Sequence, residues 1–188
     1  MADDAKHPGG RPRSRWRLAA WSIAAALILL PLVGMRFTDE VDWTPADFAC
    51  ASALVLGVGL TYELTVRTTV NRAYRAAVAV GLTAAFILIW INGAVGIIGS
   101  EDHPANRMYG GVLAVGIIGA VIVRFRAYGM ARVLVAVALA QLLVAVIALV
   151  AGLGFTGPIT VFFAGLWLAS AWLFEKAAKE QRPTGETL

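Results

Sequence analysis

Apolar residues gather in six long runs separated by short polar connections, and this spacing sets the reading of the chain. The runs cover residues 18–35, 46–66, 76–99, 108–123, 131–151 and 158–174, each close to the roughly 20 apolar residues a helix needs to cross a bilayer core. The fourth and sixth are the short ones. At 1.5 Å per residue, residues 108–123 span only about 24 Å, which predicts little tilt or a locally thinned bilayer there. Thr44 to Asp47, TPAD, reads as a helix start: threonine as N-cap, proline in the first turn, an acid three residues after the cap. Gly157 and Pro158 start the sixth span in a similar way. The connection GLGFTG, residues 152–157, is so short that spans five and six must form an antiparallel hairpin. Pro31 is placed to kink the end of the first span. The prediction is an all-α, polytopic transmembrane bundle of six spans, with polar tails at 1–17 and 175–188.

Composition strengthens this picture. Hydrophobic residues make up 59% of 188 and mean hydropathy is +0.73, well above ordinary soluble usage. The net charge of +4 would motivate nucleic acid only if the basic residues formed a separate surface. They do not. Apart from Arg36 and Arg107, all of the 16 basic residues fall in the N-terminal tail, the second and fourth connections and the C-terminal tail. Lys and Arg in short loops stay cytoplasmic, so both termini are expected in the cytoplasm and no nucleic-acid partner is expected. The opposite side is acidic, with Asp39, Glu40, Asp42 and Asp47 at the first connection and Glu101 and Asp102 at the third. Trp16, Trp21, Trp43, Tyr74, Tyr109, Tyr128 and Trp172 lie near span ends, where amphipathic rings favour the interface. The first run is long, holds Trp21 and leads into VGMRFTDE without a small-x-small cleavage pattern, so it reads as an uncleaved span. Cys50 is the only cysteine, which excludes an intrachain disulfide or a CxxC pair.

Apart from Asp47 in the first turn of the second span, Glu63 is the only acid within a span, and an intramembrane carboxylate is by default a candidate proton relay or cation ligand. It lies about one turn from the cytoplasmic end with Arg67 at i+4. That spacing favours an interfacial ion pair over transport. Asn92 and Gln141 lie inside spans three and five, where each can line a solute path or make an interhelical hydrogen bond; the structural role is preferred. Glu101, Asp102 and His103 offer oxygen and nitrogen donors, but three consecutive residues seldom face one metal, and no metal is expected. Weak cation attraction to the acidic face as a whole is the milder reading.

No HExxH, P-loop or GxSxG is present, and His7 and His103 fall on opposite sides, which leaves no bis-histidine haem. No catalytic residue, cofactor or enzyme activity is expected. Gly93 and Gly96 in the third span and Gly116 and Gly119 in the fourth give small faces that predict close packing of these two helices, or self-association. The hexapeptide AVGIIG occurs twice, at 94–99 and 114–119, with SEDHPANR between. Its copies sit at different depths on antiparallel spans, so the repetition reads as two glycine-bearing surfaces rather than a duplication.

The block WINGAVGIIGSEDHPANRMYGGVLAVGIIGAVIVRFRAYGMAR, with FTDEVDWTPADF and GLTYEL, resembles a family of small multi-pass bacterial inner-membrane proteins with no assigned activity. The resemblance runs from about Phe37 to Gly154 and implies a bacterial inner-membrane location. The family's SEDNPAN has asparagine where this chain has His103, which argues against a metal role there. Two functions fit these features. One is a noncatalytic membrane component that packs with itself or with other membrane proteins. The other is a small-solute or ion permeation unit using Glu63, Asn92 and Gln141.

Overall fold

Tail and loop positions at 1–11, 39–41 and 182–188 lie outside the residues described by the computed structural model, which covers 12–38 and 42–181. The expected basic N-terminal tail, Asp39, Glu40 and the end of the C-terminal tail therefore fall largely outside it. The described residues form six α-helices and no strand: α1 (Pro12–Gly34), α2 (Pro45–Thr68), α3 (Arg72–Ala94), α4 (Arg107–Ile122), α5 (Ala127–Val150) and α6 (Gly157–Glu180). A 3-10 turn, Pro104–Asn106, leads into α4. α2, α3, α5 and α6, and α4 together with its 3-10 turn, are long and apolar enough to cross a membrane; the apolar part of α1, Leu18–Gly34, is shorter. The 3-10 turn thus lengthens the fourth span beyond the apolar run. Leu30, Ile122, Val150 and Val161 are largely exposed, as expected of helices whose outer faces meet lipid instead of water.

The chain divides into two units, Met1–Gly59 and Leu60–Leu188, with α2 running through the boundary. In the first, α2 starts as TPAD predicts. The Thr44 amide and hydroxyl donate to Asp47 Oδ2 at 2.8 and 2.7 Å, and the Asp47 amide donates back to Thr44 Oγ1 at 3.3 Å. Trp43 and Phe48, on either side of this cap, meet edge to face at 5.2 Å, the hydrophobic staple that fixes chain entry. Gly59 approaches α1 closely: a Cβ there would lie 3.1 Å from the Trp21 ring.

The second unit is built around α6, which packs against both α3 and α5, while α4 packs against α5. On the α3–α6 seam Ala77, Ala84 and Leu88 are fully buried, and the Ser170 hydroxyl donates to the Ala77 carbonyl at 2.7 Å. Gly81 makes room for that serine, since a Cβ at Gly81 would stand 3.1 Å from its oxygen. α6 continues past the apolar run to Glu180, carrying Ala177 fully buried and a Glu175–Lys179 ion pair of 2.8 Å at i+4.

The expected α3–α4 glycine seam is not what forms. Gly116 and Gly119 lie against α5, where added Cβ atoms would stand 3.3 Å from Val137 and 2.7 Å from Val133. Gly93 faces open space. Gly96 is not on a helix: α3 ends at Ala94, and Gly96 and Gly99 have φ of 73° and 67°. Such left-handed backbone ends a helix and favours glycine. The first AVGIIG is therefore mostly a loop, the second wholly helical, so the third span stops short of residue 99.

Candidate functional site

Polar side chains of the second unit gather in three regions: the α3–α4 connection, the spans themselves and the opposite, basic end.

At the α3–α4 connection the organising residue is Asn106, only 3% exposed. Its Oδ1 accepts from the amides of Ile97 and Ile98 at 3.1 and 2.9 Å. Its Nδ2 donates to the carbonyls of Ile98 and Ser100 at 3.2 and 2.7 Å. One amide side chain thus satisfies backbone groups that the irregular loop would otherwise bury unpaired. Asn92 belongs to this region as well, its Nδ2 donating to the Asn106 carbonyl at 3.3 Å. His103 caps the 3-10 turn, its Nδ1 accepting the Ala105 amide at 3.2 Å. Asparagine makes the same cap, so the histidine at this position serves a role that needs no metal chemistry. Glu101 and Asp102 are exposed, and among the described residues no three of His, Cys, Asp and Glu gather where they could hold a metal ion.

Within the spans, Glu63 meets Arg67 Nε at 3.0 Å through Oε1, the i+4 pair the spacing predicts. Gln141 is fully buried, and both its amide atoms lack a hydrogen-bond partner, as do the Thr160 hydroxyl and the Trp167 indole nitrogen. Gln141 and Trp167 lie at comparable depth, roughly 14 and 15 Å from the α5–α6 connection by helical rise. Glu63, Asn92 and Gln141 are not brought together: one is near the end of α2, one is bound to the α3–α4 loop, and one is mid-span.

The basic end is tied by side chains from several helices. Asn71 caps α3 by accepting the Tyr74 amide at 2.7 Å and donates to Glu180 of α6 at 3.0 Å. The Tyr74 hydroxyl donates to the Phe125 carbonyl at 2.7 Å, and its ring meets Phe174 edge to face at 5.0 Å. Arg75 donates to the carbonyls of Thr69 and Val66 at 2.7 and 2.9 Å, closing the end of α2. The α4–α5 turn is made by Arg124 and Phe125, both left-handed at φ of 51° and 56°. Between α5 and α6 at this end lies an open groove of about 510 Å³ beside Tyr128, Arg132 and Trp172.

Asn106, Gly81, Ser170 and the Tyr128–Arg132 pair were not singled out by the sequence. The signal available for Asn106 was an asparagine after His-Pro-Ala, close to two loop glycines. Ser170 and Gly81 lie 89 positions apart on helices whose pairing no local pattern reveals.

Set against family models, curated proteins and solved structures, the chain matches none.

Proposed function

We propose that this multi-pass membrane protein is a noncatalytic component of a bacterial inner membrane, with both ends cytoplasmic, that associates with itself or with other membrane proteins. One observation carries the reading: the three polar positions that permeation would use are separated, and two of them serve the scaffold. Glu63 is paired with Arg67, and Asn92 braces Asn106. Arg72, Arg75, Arg124, Arg126, Lys176 and Lys179 at one end favour that end for the cytoplasm.

The test is flux. In phosphatidylcholine vesicles holding the full chain, neither the wild type nor Glu63→Gln should conduct protons or monovalent cations above empty vesicles. Wild-type flux that disappears in Glu63→Gln or Gln141→Leu would replace this reading with permeation.

A further inference from the structure

We infer that the groove between α5 and α6 at the basic end is a binding site for one anionic phospholipid, its phosphate on Arg132 and an acyl chain directed toward the bilayer centre. The inference rests on the reading of the chain as a membrane protein and adds a ligand to it.

The groove is built from two matching helical stripes. α5 contributes Tyr128, Ala131, Arg132 and Val135, and α6 contributes Leu168, Ala171, Trp172 and Glu175. Each set has the i, i+3, i+4, i+7 spacing of a single helix face. Because the helices are antiparallel, the two stripes present the same polarity along the groove. Tyr128, Arg132 and Glu175 stand at the mouth, near the start of α5 and the end of α6. Val135 and Leu168 lie deeper; Leu168 is about 10 Å inward of Glu175 by helical rise. Ala131 and Ala171 are buried and small, which leaves a floor between larger walls. Leu168 and Val135 remain 49% and 41% exposed, so the apolar half is open to a lipid tail. A polar mouth continuing into an apolar trough is the polarity sequence of a phospholipid lying along a helix pair.

The charge at the mouth selects the headgroup. The Arg132 guanidinium lies 4.4 Å over the Tyr128 ring and donates to its hydroxyl at 2.6 Å. These contacts fix the fork while leaving other N–H groups for phosphate oxygens. Lys176 Nζ lies 5.9 Å from the centre of the Trp172 ring at the same rim. Glu175, the one carboxylate on the lining, is held by Lys179 at 2.8 Å, so its charge is answered locally. Among the described residues no carboxylate pairs with Arg132, Arg124 or Arg126. A second depression of about 600 Å³ beside Arg124 and Arg126 adjoins the groove at Tyr128 and extends the positive rim. Basic pockets between membrane helices on the cytoplasmic side are suited to anionic headgroups.

The test uses the full chain, purified in mild detergent and examined by native mass spectrometry with phosphatidylglycerol or phosphatidylcholine. Wild type and Arg107→Gln, a charge loss at the other end, should retain phosphatidylglycerol over phosphatidylcholine. Arg132→Gln should lose about fivefold in phosphatidylglycerol occupancy, the effect of one surface charge, and Arg132→Lys should lose less. Filling the trough with Ala171→Leu should weaken binding of phosphatidylglycerol while leaving the charge intact. Each variant's thermal midpoint without added lipid separates loss of the site from loss of the fold. Equal phosphatidylglycerol occupancy in wild type and Arg132→Gln, or equal retention of the two lipids by the wild type, would overturn the site. Flotation with pure phosphatidylcholine vesicles tests the membrane reading separately: a chain that floats without lipid preference loses only the site, and one that does not float loses both.

Discussion

The side chain of Asn106 is hydrogen-bonded to both backbone groups of Ile98, Oδ1 taking its N–H at 2.9 Å and Nδ2 giving to its carbonyl at 3.2 Å. A side-chain amide here imitates the edge of a strand, and the loop after α3 is folded around it. Asn106→Ala removes every one of these bonds while Ile98 stays 1% exposed. Each buried group left unpaired costs about 1–3 kcal/mol. The thermal midpoint in detergent should fall, and hydrogen exchange should quicken at Ile97 and Ile98 before it quickens in α5. Unchanged protection at those two amides would remove Asn106 from this role.

Gly119 and Val133 define the α4–α5 seam. Gly119→Ala would set a methyl 2.7 Å from Val133 Cγ1, and overpacking of this kind costs about 1–3 kcal/mol. Val133→Ala, itself mildly destabilising, should recover much of that loss in the double variant. Gly93→Ala, which meets nothing within 4 Å, should leave the midpoint essentially unmoved. Additive effects of the two seam variants would show that α4 does not sit on Val133.

Gln141 carries two unpaired amide atoms in a fully buried position. Leucine is of similar size and has no polar group to leave unsatisfied, so Gln141→Leu should raise stability, by up to about 1–3 kcal/mol. Denaturation in detergent measures it. A clear loss of stability would mean the amide is satisfied in the folded protein, by water or a solute.

The orientation yields to labelling. With Cys50, which is exposed, replaced by serine, Ser100→Cys should react with a membrane-impermeant maleimide added outside intact cells. Gln181→Cys should react only after the membrane is opened. The reverse pattern would invert the topology drawn from the arginines.

What could be read in the sequence is what depends on neighbours. Thr44 and Asp47 found each other across three positions, and Glu63 and Arg67 across four, because helix geometry alone sets those meetings. The apolar runs gave the helices for the same reason. The partner of each helix was not available. Gly119 could have faced α3 or α5 equally well on its spacing, and only the register of Val133 decides it. Gly96 looked helical because valine and isoleucine surround it; Asn106, ten residues away, takes the backbone groups that a longer α3 would have used.

The two AVGIIG segments are homonyms. Gly96 is held by a backbone angle, φ of 73°, and by the Ser100 carbonyl oxygen 2.5 Å from where a Cβ would stand, whereas its twin Gly116 lies in regular helix and has only Val137, 3.3 Å from where a Cβ would stand. The same substitution therefore asks a different question at each copy. Alanine at 116 needs a few tenths of an ångström from one valine; alanine at 96 needs a new path for the chain. A tolerance measured at one copy cannot be carried to the other, and the meaning of the six letters lies in which residue elsewhere answers them.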